Sequence, residues 1–227
     1  MSFKIKNHNA IYIHIPKCAG SSLYQTLKND NWVEFKLQKT HPTISEILKL
    51  GIDLDQYEII TQIRNPYNRF YSHYHFIVED ADNRINGIKE FKKNMDIEYY
   101  KKYKNFLTQI GFKGFVELLK HEKNRDIFLK NFKYKDKGAF TTLNDFLKGA
   151  KKVKIFKLED DNLLNYLKIK YKIIPNKFFY EKKSKYRTIE YDQYLADIVY
   201  NYFELDFLNY EYAKNSWKDH GNLNEQS

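Results

Sequence analysis

Ile11-Tyr-Ile-His-Ile-Pro-Lys-Cys-Ala-Gly-Ser-Ser-Leu23 and Ile59-Ile-Thr-Gln-Ile-Arg-Asn-Pro-Tyr-Asn-Arg-Phe-Tyr-Ser-His73 are built alike. Each opens with a run of β-branched and aromatic residues. With so little polar alternation, such a run fits a strand buried on both faces, as in a parallel sheet. Each then enters a short loop and turns into a helix. In the first, Pro16 ends the strand and Ser21 or Ser22 is placed to cap a helix reaching about Lys28. In the second, Asn65 and Pro66 read as an N-cap and first helical residue. That helix extends to about Val78, with Phe70, Tyr74 and Ile77 as its core stripe. Both turns carry a cation and hydroxyl groups. Two anion-binding turns on one sheet imply a ligand with two separate phosphate groups.

Working outward, Val33–Leu37 reads as a short strand. Thr43 and Glu46 form a capping box for a helix that Gly51 stops. Strands are expected at Tyr57–Ile63 and Val153–Leu158. Helices are expected at Phe112–Leu119, Thr142–Lys148, Leu163–Ile169 and Tyr191–Phe203. Alternating strands and helices predict an α/β fold: a P-loop-type, three-layer arrangement with a central parallel β-sheet flanked by helices, doubly wound. In such sheets ligands bind at the carboxyl ends of the strands, where both motif loops fall. Residues 1–227 read as a single domain. Residues 79–135 form a helical insertion, with the charged stretch 79–105 a mobile insertion or cap suited to substrate contacts, and 217–227 a frayed tail.

The chain has 227 residues, 42% hydrophobic, enough for one sizeable core. No apolar run approaches the ~18 residues of a membrane span, and the N-terminus lacks a signal-peptide pattern. A cytoplasmic protein is therefore expected if Met1 is the native start, and a lumenal one only if the chain is truncated. A single cysteine, Cys18, excludes an internal disulfide and cysteine-cluster metal sites. Seven histidines show no ligand spacing beyond His73-x-His75, and no metal is expected. The net charge of +10 favours anionic partners without choosing among them.

In Pro16–Ser22, the small residues Cys18, Ala19 and Gly20 let main-chain N–H groups approach an anion. The helix dipole, Lys17, Ser21 and Ser22 reinforce it. This is not the Walker A pattern, whose lysine closes the loop instead of opening it. An ordinary βα turn with a stray lysine would also fit. Arg64, at the second strand end, has the geometry for bidentate phosphate binding, and Ser72 follows eight residues later. By itself this pair also fits a surface arginine near a helical serine.

Together the segments His14-Ile-Pro-Lys-Cys-Ala-Gly-Ser-Ser22 and Arg64-Asn-Pro-Tyr-Asn-Arg-Phe-Tyr-Ser72 resemble the sulfotransferases that use 3′-phosphoadenosine 5′-phosphosulfate (PAPS), specifically the carbohydrate-type group related to heparan sulfate O-sulfotransferases. Lys39-Thr-His-Pro-Thr43, the strand ending in Glu159, and Lys183-Ser-Lys-Tyr186 resemble further parts of that group. A Gln-bearing element expected before the late strand is missing from Phe140-Thr-Thr-Leu143, in the region that tends to face the acceptor.

The resemblance implies a sulfuryl transfer from PAPS to a hydroxyl, most readily of a carbohydrate. Lys17, Cys18, Ala19, Gly20, Ser21 and Ser22 would hold the 5′-phosphosulfate, and Lys17 would also be catalytic. Arg64 and Ser72 would hold the 3′-phosphate, with Ser184, Lys185 and Arg187 as further contacts. His41 would be the general base, a role suited to a group that titrates near neutrality. The competing reading for His41 is a helix-start histidine bonded to a main-chain carbonyl. His14 reads as structural, and Cys18 as a small residue the loop needs. Partners are expected to be a glycan or other hydroxyl-bearing acceptor, with neither nucleic acid nor stable membrane insertion. The alternatives are a P-loop kinase or nucleotide hydrolase, which lacks its Walker lysine and an evident magnesium ligand here, and a nucleic-acid-binding protein, for which no motif is present.

Overall fold

The computed structural model of the protein describes residues 1–37, 41–92, 95–131, 137–179 and 191–221. In chain order the strands are β1 (Phe3–Ile5), β2 (Ala10–Ile13), β3 (Val33–Lys36), β4 (Glu58–Ile63) and β5 (Val153–Lys157). The helices are α1 (Gly20–Asn29), α2 (Ile44–Lys49), α3 (Pro66–Ile85), α4 (Ile97–Glu117), α5 (Glu122–Asn131), α6 (Leu143–Leu147), α7 (Leu163–Tyr171), α8 (Gln193–Tyr202) and α9 (Glu204–Asn209). The chain divides into two compact units. One comprises residues 1–65 and 141–185, and the other 66–140 and 186–227.

The first unit holds the sheet, in the order β3-β1-β2-β4-β5. β2 pairs with β4 and β4 with β5 in parallel, with Ile11 opposite Ile59 and Thr61 opposite Ile155. All four residues of β2 and the last five of β4 are buried, as expected of central strands. Thr61 and Gln62 are polar within this buried run. The Thr61 hydroxyl is satisfied by donating to the Ile13 carbonyl at 2.9 Å.

The expectation of a parallel sheet holds only for this half. β1 runs antiparallel to both β2 and β3, so the sheet is mixed. β2 lies where the strand was expected, and β1 is an additional strand joined to it by a turn at Asn7, which takes a left-handed φ of 63°. Phe3, Ile5, Tyr12, Leu23, Leu27 and Ile60 belong to one apolar cluster of this unit, and Ile11, Ile13, Ile44, Ile47 and Ile59 to a second.

The capping box is present in full. Thr43 Oγ1 accepts from the Glu46 N–H at 3.2 Å, and Glu46 Oε2 accepts from the Thr43 N–H at 2.9 Å. Gly51, at φ 76°, follows α2. α6 falls within the helix expected over Thr142–Lys148, and its N-cap is Thr142, whose hydroxyl accepts from Asp145 N–H at 2.9 Å.

The second unit is helical. Its core is aromatic: Tyr67, Phe70, Tyr74, Phe112, Phe115, Phe128, Phe140, Phe203 and Phe207 are all buried. α3 outruns its expected end at Val78 because Arg84 pairs with Asp80 one turn earlier at 3.0 Å and so supports the charged last turns. The stretch 79–105 is therefore helical at both ends: α3 continues to Ile85, and α4 begins at Ile97 behind an Asp96 cap. α4 breaks at Gly111 (φ 62°, ψ −174°), just before the helix expected from Phe112. Of the tail expected to fray, 217–227, the described residues up to Gly221 belong to a short 3₁₀ helix, Ser216–Gly221, and the rest lie outside the described residues. No described helix is long and apolar enough to cross a membrane.

Candidate active site

The loop after β2 carries the first motif. Lys17 (φ 68°) and Ala19 (φ 56°) both adopt left-handed backbone conformations, although neither is glycine. Left-handed non-glycine residues cost free energy that the surroundings must hold in place. Left-handed residues of this kind occur in the turns whose main-chain N–H groups form anion-binding concavities. Contrary to expectation, neither Ser21 nor Ser22 caps α1. The N-cap is Ala19, which supplies no side-chain acceptor. The first ladder bond runs from Leu23 N–H to the Ala19 carbonyl at 3.2 Å, so the amides of Gly20, Ser21 and Ser22 lie ahead of the ladder. The first turn contains no acidic residue. A helix start of this kind suits an anion.

Cys18 is fully buried, with Sγ 3.7 Å from the Pro16 carbonyl. It packs beneath the loop, in keeping with a need for a small residue there. Lys17, Ala19 and Ser21 are half-buried and Ser22 is buried.

Arg64 follows β4, the strand beside β2. Its Nη1 donates to the Lys17 carbonyl at 3.4 Å, which joins the second motif to the first. The next residue, Asn65, is 3% exposed, and its N–H donates to Glu159 Oε1 at 2.9 Å. Glu159 lies just past β5. The carboxyl ends of three adjacent parallel strands thus contribute Lys17, Arg64 and Glu159 to one region, as sheet topology predicts.

His41 reaches the same end of β2 from the segment before α2. Its Nδ1 lies 3.3 Å from the His14 carbonyl oxygen, and its ring meets the His14 ring nearly edge-on, 4.5 Å between centroids. The His14 ring is buried, with the Met1 amino group against its Nδ1. Gly20 lies on that ring so closely that an added Cβ would fall within 3.0 Å of Cγ, Cδ2 and Nε2. Glycine at this position is required by the His14 ring.

Of the residues singled out in the sequence, Lys17, Cys18, Ala19, Gly20, Ser21, Ser22, His41 and Arg64 all lie in the sheet-bearing unit, around the ends of β2 and β4. Ser72 is buried on α3, in the helical unit. Ser184, Lys185 and Arg187 lie outside the described residues. The contacts of His14 and of the Asn65–Glu159 pair were not visible in sequence. Their partners are 27 and 94 residues away, and no local pattern links them.

A family model described as the sulfotransferase family matches residues 3–213. That span is most of the chain, and the protein belongs to the sulfotransferase family. No curated protein and no solved structure was found to match it.

Proposed function

We propose that this protein transfers a sulfuryl group from PAPS to a hydroxyl of an acceptor, with a glycan as the acceptor class, and that residues 1–227 act as one sulfotransferase domain. The observation that carries the reading is the uncapped, acid-free start of α1, with Lys17 in its loop and Arg64 bonded to the Lys17 carbonyl. A donor set of main-chain amides, an ammonium and a guanidinium fits a bisphosphorylated nucleotide. The family membership supports the same chemistry, and the two motifs favour the carbohydrate-type group.

PAPS supplies an activated sulfuryl group and a phosphate leaving group. Lys17 and the amides of Gly20, Ser21 and Ser22 stabilise negative charge at the 5′ end. Arg64 binds the 3′-phosphate and thereby aligns the donor. His41 takes the proton from the acceptor hydroxyl as its oxygen bonds to sulfur in line with the breaking bond from sulfur to the 5′-phosphate oxygen, which leaves as the phosphate of PAP. Ser72, Ser184 and Lys185 enter this reading through the motif resemblance alone. So do residues 79–135, as the acceptor-facing segment.

The test is thermal-shift titration with 3′-phosphoadenosine 5′-phosphate (PAP), AMP and Mg·ATP on wild type and Arg64→Ala. Selective stabilisation by PAP, diminished in the variant, supports the reading. A response to Mg·ATP without preference for the 3′-phosphate replaces it with nucleotide hydrolysis or phosphoryl transfer.

A further inference from the structure

Taken as an isolated residue, His14 is a buried histidine at a strand end. Three contacts make it more than that. Its main-chain oxygen faces Nδ1 of His41 at 3.3 Å. Its ring abuts the His41 ring at 4.5 Å with 64° between planes. Gly20 closes off another side of that ring, leaving no room there even for a methyl group. A carbonyl oxygen only accepts, so this contact is a hydrogen bond only when Nδ1 of His41 carries the proton. In neutral imidazole a proton on Nδ1 puts the lone pair on Nε2, and the partner of one nitrogen sets the state of the other.

We propose that His14 is a positioning residue for His41: its carbonyl selects the Nδ1–H tautomer, and its ring, braced by Gly20, fixes the orientation in which Nε2 accepts a proton. The proposal rests on the sulfuryl-transfer reading for its purpose, since a general base needs that nitrogen unprotonated before the reaction. Its geometry stands apart from that reading. Fixing a base through a second residue removes the rotamer and tautomer search from each turnover.

The experiment is long-range ¹H–¹⁵N NMR on histidine-labelled protein above the imidazole titration range, with His41→Asn used to assign the His41 signals. It is run on wild type, His14→Phe and His14→Ala, with and without PAP. Wild type is expected to show His41 as a single Nδ1–H tautomer. His14→Phe keeps both the carbonyl and a bracing ring and is expected to retain that tautomer. His14→Ala keeps the carbonyl but loses the ring, and is expected to populate both tautomers while its amide fingerprint stays folded. A purely structural His14 would leave the tautomer of any folded variant unchanged. An Nε2–H tautomer in wild type, or a single Nδ1–H tautomer in folded His14→Ala, overturns the proposal. Should His14→Ala not fold, the wild-type and His14→Phe tautomers decide the matter, because an Nε2–H signal in either contradicts the geometry. PAP binding in the same samples separates the two failures. Nδ1–H without PAP binding sinks the sulfuryl-transfer reading and leaves the histidine pair standing, whereas PAP binding with Nε2–H does the reverse.

Discussion

The guanidinium of Arg64 donates from Nη1 to the carbonyl oxygen of Lys17 at 3.4 Å, so the turn after β4 is tied to the main chain of the loop after β2. One residue therefore has two tasks: bracing the loop and, in the proposed function, holding phosphate. A lysine ammonium keeps the charge but lacks the planar fork. We predict that Arg64→Lys weakens PAP binding by roughly tenfold, equivalent to about 1.4 kcal/mol, while AMP binding changes less. Isothermal titration with both nucleotides checks this. Equal losses for PAP and AMP would remove Arg64 from the 3′-phosphate.

Glu159 supports the same turn from β5. Its Oε1 accepts the N–H of Asn65, a residue only 3% exposed. Removing the acceptor leaves that buried donor short of this partner, a cost of about 1–3 kcal/mol. Glu159→Ala is therefore expected to destabilise by that amount and to loosen Arg64 as well, lowering PAP affinity. Glu159→Gln keeps a neutral acceptor oxygen and is expected to lose less than half as much. Urea denaturation gives the stabilities. An Ala variant as stable as wild type would show that the hydrogen bond contributes nothing to the turn.

Gly20 offers a sharper case, because the obstacle to a side chain is a single ring. The Cβ of Gly20→Ala would lie within 3.0 Å of three atoms of His14. Overpacking of this kind typically costs about 1–3 kcal/mol. Here the strain falls on the start of α1 and on the histidine pair together. The expected outcome is a lower melting temperature and a PAP affinity reduced at least severalfold. Unchanged melting and binding would mean that the loop has slack the geometry does not display.

These residues also mark what can be read from sequence. Local chemistry was legible. The Thr43–Glu46 box, Gly51 after α2 and Pro66 as the first residue of α3 all depend on neighbours within four residues. Non-local pairing was not. β1 is three residues long and finds its place only by pairing antiparallel with β2 and β3, which no period within Phe3–Ile5 announces. The α1 cap differs from the serine expected for a related reason. Serine is a good N-cap in general, but here the left-handed turn at Ala19 starts the helix one residue before the first serine. In the site, the residue types at Lys17 and Arg64 pointed to anion binding. The partners that hold their loops, Glu159 among them, come from other strands and emerge only once the sheet is assembled.

His75, on α3, is half-buried against two rings of the aromatic core. Its ring meets the Tyr71 ring at 4.3 Å and the Tyr74 ring at 5.1 Å. Burial disfavours the charged imidazolium and lowers its pKa from 6.5 to about 4. Between these two values the unfolded chain binds a proton that the folded chain refuses. Stability contributed by neutral His75 is thus complete above pH 6.5, declines as pH falls below it, and is gone below about pH 4. Between pH 7 and pH 5 the loss is about 1–2 kcal/mol, allowing for partial solvent screening. Substituting His75→Gln keeps polarity and approximate size but cannot titrate. The variant is expected to lose correspondingly less stability over the same interval, even if its stability at pH 7 is lower. Chemical denaturation of both proteins at pH 7 and pH 5 measures the difference directly, and parallel losses would show that His75 is protonated in the folded state as readily as in the unfolded one.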